Sequence, residues 1–150
     1  MELILWRHAE AEDGVADIDR ALTPKGQADA KKMAAWLKAR MPKDTKILVS
    51  PARRAQETAS ALDLPFTTVD ALYSDAAPYT ILQLANWDTT KGSVLIVGHQ
   101  PTLGMAAAFA MTRKIHYWCV KKGAIWWLAS RIRAEEEQAI IRVTISPDML

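Results

Sequence analysis

Leu3-Ile4-Leu5-Trp6-Arg7-His8, at the head of the chain, is a short apolar run that stops abruptly at an arginine and a histidine. Such a run is long enough for one buried strand. Its C-terminal end would carry a fixed cation beside a titratable nitrogen base. The same design recurs twice. Ile47-Leu48-Val49 runs into Ser50-Pro51 and a helical stretch that contains Arg54. Ser93-Val94-Leu95-Ile96-Val97, the strongest strand pattern in the chain, ends in Gly98-His99-Gln100-Pro101. A continuous apolar run of this kind fits a central strand covered on both faces. Strands alternating with helices predict an α/β fold: a three-layer sandwich around a mixed, mainly parallel central sheet.

The segments between follow helical spacing. Thr23 is a good N-cap with Pro24 at the first helical position. Ala30, Met33, Ala34, Leu37 and Met41 then form one apolar stripe, and Pro42 stops the helix. Ser50-Pro51 repeats the cap-and-proline signal ahead of a helix over 52–62. In that helix Ala55, Thr58, Ala59 and Leu62 face inward. Arg54 stands four residues before Thr58 and lies over this buried stripe, whereas Arg53 pairs with Glu57 on the outer face. Residues 65–69 predict a weak third strand, 78–87 a helix with Ile81, Leu82 and Ala85 inward, 89–92 a turn and 102–110 a further helix. From Lys114 the period changes to two. Residues 114–120, 124–130 and 139–145, split by Lys121-Lys122-Gly123 and by a charged turn over 131–138, predict an antiparallel meander at the C-terminal edge of the sheet. His116 and Cys119 fall inside its first strand and read as structural. Trp118, Trp126 and Trp127 read as sheet-face packing.

The bulk properties exclude several classes. The 150 residues suit one domain, 1–150. A formal net charge of +2 and the lack of a dense basic run argue against nucleic acid as a partner. No apolar run approaches the roughly 20 residues of a membrane span, and no signal-peptide pattern precedes the first strand. The single cysteine cannot form an internal disulfide and no cluster has metal-ligand spacing. A cytoplasmic protein with no metal and no cofactor is expected.

If the three polar-ended strands are adjacent and parallel, two arginines and two of the three histidines meet at one sheet edge. Ligands of open α/β sheets bind outside the carboxyl ends of the strands. Helix N-termini there add N–H groups that favour anions. Arg7, His8, Arg54 and His99 thus form a candidate site for a phosphate-like dianion. The acidic loop 10–20 reads as solvated, with a docking surface for a basic partner as the alternative.

Arg7-His8-Ala9, the approach Asp19-Arg20-Ala21-Leu22-Thr23, the run 50–58 and Val97-Gly98-His99 together resemble the histidine phosphatase superfamily, also called phosphoglycerate mutase-like. The chain is most similar to its small SixA-type phosphohistidine phosphatase branch. The resemblance implies that His8 is a nucleophile that becomes transiently phosphorylated. It implies that Arg7, Arg54 and His99 hold the phosphoryl group, without metal. The implied substrate is a phosphorylated protein, with a histidine phosphotransfer domain as one candidate, or a small phosphorylated molecule. A phosphomonoesterase and a non-catalytic phospho-ligand module are the alternatives. Two positions depart from the family pattern. Ala9 stands where relatives place glycine, and an ordinary φ is expected there. Only Asp75 is offered as the acid that protonates an alkoxide, and capping the next helix is its simpler role.

Overall fold

The structure is a computed structural model that describes residues 1–87, 89 and 91–150. Thr90, in the turn predicted over 89–92, lies outside the described residues. Six strands, β1 (Glu2–Arg7), β2 (Lys46–Val49), β3 (Thr67–Thr68), β4 (Ser93–Gly98), β5 (Ile125–Arg133) and β6 (Glu136–Ile145), form one sheet in the order β3-β2-β4-β1-β5-β6. β2, β3, β4 and β1 run parallel, and β5 and β6 are antiparallel to their neighbours. The helices are α1 (Pro24–Lys38), α2 (Arg53–Ser60), α3 (Pro78–Ala85) and α4 (Thr102–Thr112).

The layering follows from the period of two within each strand. Leu3, Leu5, Leu48 and Ile96 point to one face and pack with Ile81 and Leu82 of α3 and Leu103, Ala106 and Ala107 of α4. Ile4, Trp6, Ile47, Val49, Leu95 and Val97 point to the other face. There they meet Met33, Ala34 and Leu37 of α1 and Ala55 and Ala59 of α2. Residues 3–6 of β1 and 94–97 of β4 are therefore apolar without interruption because both faces are covered. β4 is buried along its whole length.

α1 begins as its sequence predicts, with Thr23 Oγ1 accepting the Gly26 N–H at 2.9 Å. It ends at Lys38, short of Pro42, although Met41 still reaches the core. Gly26 is required by close approach. A Cβ built there would stand 2.1 Å from the carbonyl oxygen of Glu10, which also receives the Thr23 N–H. α2 is shorter than expected, and Ser50 does not cap it. The capping position is Ala52, with no side-chain bond. Asp75 likewise does not cap α3, where Ala77 takes that position.

The C-terminal third differs most from expectation. Residues 114–120 are irregular, so a hairpin replaces the three-stranded meander. The edge of β1 that a further strand would need is occupied by β5. Carbonyls of the segment bond to side chains instead: Trp118 accepts from Gln100 Nε2 at 2.9 Å and Val120 from Arg7 Nη1 at 2.9 Å. Cys119 is consequently exposed and not packed, and His116 is exposed in the same loop. The charged stretch predicted as a turn is instead strand on both sides. β5 and β6 pair out to Arg133 and Glu136 and reverse through Ala134 and Glu135, at φ 52° and 65°. Among the described residues no helix is long and apolar enough to cross a membrane.

Replacing Gly26 by alanine forces the 10–22 loop off α1. Overpacking of this kind costs about 1–3 kcal/mol. The expected outcome is a lower urea midpoint with an unchanged slope, and an unaltered midpoint would show that the loop gives way freely.

Candidate active site

The carboxyl ends of β2, β4 and β1 lie side by side, and backbone bonds stitch them where the side chains turn polar. His8 N–H donates to the Gly98 carbonyl at 3.1 Å and Ser50 N–H to that of Val97 at 3.1 Å. His8 and His99 are thereby neighbours, with ring centroids 5.2 Å apart. Both are almost fully buried.

Arg54 enters from the first turn of α2 and is 3% exposed. The helical-face argument is borne out: Arg53 is exposed and its Nε lies 3.5 Å from Glu57. The guanidinium of Arg54 makes four contacts. Nε donates to His8 Nε2 at 3.3 Å, and Nη2 to His99 Nδ1 at 3.3 Å. Nη1 donates to the Asp17 carbonyl at 2.8 Å, and Nη2 also to Asp17 Oδ2 at 3.2 Å. Its own backbone is anchored to the loop after β1, because Thr58 Oγ1 donates to the Arg54 carbonyl at 2.7 Å and accepts the Ala9 N–H at 3.0 Å. Ala9 has no left-handed φ, as expected, and its side chain packs with Leu22 and Ala30.

These bonds assign the tautomers. The Ala9 carbonyl only accepts, so His8 Nδ1, 2.8 Å from it, carries the proton. His8 Nε2 then presents a lone pair, the form that a nucleophilic imidazole requires. His99 Nδ1 accepts from Arg54, which places the His99 proton on Nε2, donating to Ser50 Oγ at 2.7 Å. Ser50 Oγ accepts the Ala52 N–H as well, at 3.2 Å. The bond of Ser50 to His99 is a feature of this site that the sequence did not foresee, since Ser50 was expected to cap α2.

Burial governs the electrostatics. Desolvation pulls His8 down from 6.5 to about 3 against the opposing Ala9 bond, with His99 and the two arginines adding to the fall. Desolvation, then Arg54, pulls His99 down to about 4. Both rings are therefore neutral at pH 7. Arg7 is half-buried and reaches the Val120 carbonyl with Nη1, while its Nε is buried with no hydrogen-bond partner. An orphaned buried N–H is costly unless something accepts from it. It lies one residue from the candidate nucleophile.

Asp75 is exposed, and no contact that joins His8, Arg54 and His99 involves it. Two residues not foreseen are present instead. Asp17 comes from a single 3₁₀ turn, Asp17–Asp19, and its Oδ2 accepts from the Tyr73 hydroxyl at 2.5 Å. Tyr73 also sets its ring edge-on to His99, with centroids 5.9 Å apart. Asp17 was hidden among the acidic residues of the 10–20 loop, and no local signal separates it from Asp13 or Asp19. Among the described residues, no group of three His, Cys, Asp or Glu side chains could hold a metal ion.

A family model described as the histidine phosphatase superfamily (branch 1) matches residues 3–73. An uncharacterised protein of Mycobacterium tuberculosis is 37% identical over 106 residues, which span 67% of this chain and 66% of that protein. The phosphohistidine phosphatase SixA of Escherichia coli is 30% identical over 118 residues, 72% of this chain and 73% of that one. A solved structure of the protein histidine phosphatase SixA complexed with tungstate is 25% identical and superposes with a TM-score of 0.76 over 99% of each chain.

The two histidines couple stability to pH. Unfolded, each takes up a proton near 6.5; folded, neither does so until about 4 or below. The unfolded state binds more protons in that window, so stability is present above pH 6.5 and falls between 6.5 and 4. Urea unfolding should show this loss, and a His8→Asn/His99→Asn double variant should lose much less over the same window. A double variant with the wild-type slope would refute the assignment.

Proposed function

This chain belongs to the histidine phosphatase superfamily, and we propose that it is a phosphatase in which His8 Nε2 attacks the phosphoryl group directly. The observation that carries this reading is the shared guanidinium of Arg54, which addresses His8 Nε2 and His99 Nδ1 at 3.3 Å each. A phosphoryl group arriving at His8 takes over the Arg54 Nε–H, which frees the lone pair of His8 Nε2, and meets the unpartnered Nε of Arg7 and, once it leaves Ser50, the Nε2–H of His99. In-line transfer spreads negative charge over the equatorial oxygens, and preorganised cations stabilise it in a water-poor site. The reading needs no metal, because the arginines supply the positive charge. Phosphohistidine forms at Nε2 while Nδ1 remains bonded to the Ala9 carbonyl. Water then attacks the phosphorus, phosphate leaves and Nε2 recovers its lone pair.

The favoured substrate is phosphohistidine on a protein. An imidazole departs with little help from an acid, and the one foreseen acid, Asp75, makes no contact with the site. Among the described residues no connection between the elements is long enough to form a large cap, which suits a site open to a protein side chain. A cytoplasmic setting accompanies this reading, in keeping with the exposed, unpaired Cys119.

His8→Ala should abolish both turnover of phosphohistidine and acid-labile labelling of the protein. Hydrolysis that persists in the variant would sink the mechanism. Tight phosphate binding by the wild type with no phosphoenzyme would favour a binding module instead. Arg54→Ala should lower kcat by roughly 10²–10³, the usual cost of one charge-stabilising donor. Arg53→Ala should be nearly silent, since exposed ion pairs contribute less than about 1 kcal/mol. Equal losses from the two arginines would be incompatible with the site as drawn.

A further inference from the structure

Asp17 and Tyr73 sit beside the reacting groups, yet the proposed reaction leaves them without a task. Asp17 belongs to the 10–22 loop, which closes on itself through the Glu12 N–H to Ala21 carbonyl bond at 2.7 Å. Its carboxylate is half-exposed, so a bound substrate can reach it. Tyr73 first, then Arg54 and Arg20, hold the carboxyl down to about 2, and it is ionised throughout the neutral range. A negative charge in a pocket for a dianion calls for an explanation. Repulsion would weaken binding of any phosphate unless the rest of the substrate compensated.

The geometry around Arg54 supplies one. His8 lies at the Nε edge of the guanidinium, and Asp17 lies at the Nη1 and Nη2 edge. In-line displacement puts the leaving group opposite the nucleophile. A phosphoryl group lying along the guanidinium with its phosphorus toward His8 therefore directs its leaving group toward Asp17 and Tyr73.

We propose that Asp17 is a specificity-determining residue that accepts an N–H from a protonated nitrogen leaving group, and so selects phosphohistidine over phosphate esters of alcohols. This rests on the phosphatase reading above and sharpens its substrate class. The substrate ring enters with the phosphoryl group on one nitrogen and a proton on the other, as an imidazolium. The lone pair of His8 Nε2 forms a bond to phosphorus and the P–N bond breaks. Its electron pair stays on the substrate nitrogen, and the ring departs as neutral imidazole with its original proton in place. No proton has to be transferred. The ionised carboxylate favours the charged, reactive form of the ring by hydrogen bond and by charge. A phosphate ester of an alcohol releases an alkoxide, which needs a proton that an ionised Asp17 does not carry.

The test compares two substrates on the purified full chain: free phosphohistidine and p-nitrophenyl phosphate, whose nitrophenolate departs unprotonated. Asp17→Asn keeps the shape of the side chain and removes its charge. It should lower kcat/KM for phosphohistidine by about 10–100-fold, the range for a hydrogen bond to a charged group. It should affect p-nitrophenyl phosphate far less, so that the ratio of the two kcat/KM values falls by about the same factor. Asp17→Glu, which restores the charge, should recover part of the preference, and thermal melting checks that both variants fold. A parallel fall on both substrates would mean that Asp17 only positions Arg54, and would overturn the proposal. A parallel rise would make it a simple competitor for phosphate, and no change would make it irrelevant; either result also overturns it. A wild-type protein that hydrolyses neither substrate and forms no phosphoenzyme removes the phosphatase reading itself, and this one with it.

Discussion

The site depends on one guanidinium. Arg54 touches both histidines and Asp17, and it does so from a buried position on the first turn of α2. A buried cation is costly unless every donor finds an acceptor. Here the acceptors are two neutral imidazole nitrogens, one carbonyl and one carboxylate. The charge of Arg54 in turn helps keep both imidazoles neutral. The cation and the bases therefore support each other: charged histidines would repel Arg54, and their absence would leave its Nε without an acceptor and remove one of the two acceptors of Nη2.

The fold serves this arrangement by holding three strand ends in phase. β2, β4 and β1 are adjacent and parallel, and each loses its apolar pattern at the same level of the sheet. Two helical layers seal the faces, so the polar groups at that edge stand on a rigid, dry support. The Ala9–Thr58–Arg54 bonds then tie the loop after β1 to α2. A displacement of α2 would move Arg54 and the backbone beside His8 together.

Each error of sequence reading has its own physical cause. Residues 114–120 carry a strand-like composition, but the place beside β1 is taken by β5, and no local pattern reports that competition. The segment became a wall of the site, with its Val120 carbonyl on Arg7. The charged run 131–138 was read as a turn because both faces of the hairpin are wet there, which erases the hydrophobic alternation. Ser50 looked like a cap because serine before proline so often is one. Its hydroxyl bonds His99 instead, a residue 49 positions away.

Local chemistry was legible without coordinates. The alternation of apolar runs and helical stripes implied the layered α/β sheet. The polar endings of three runs brought Arg7, His8, Arg54 and His99 to one edge, and helical phase alone separated Arg54 from Arg53. These properties depend on neighbours within a few residues, or on a rule about strand ends. Asp17 and Tyr73 were invisible because their roles are set by contacts across 37 and 56 residues, to Arg54 and to each other. Only the closed 10–22 loop lifts one aspartate out of an acidic stretch and sets it on the guanidinium. Tertiary structure decided which charge enters the site, because that choice is made by chain closure and not by residue type.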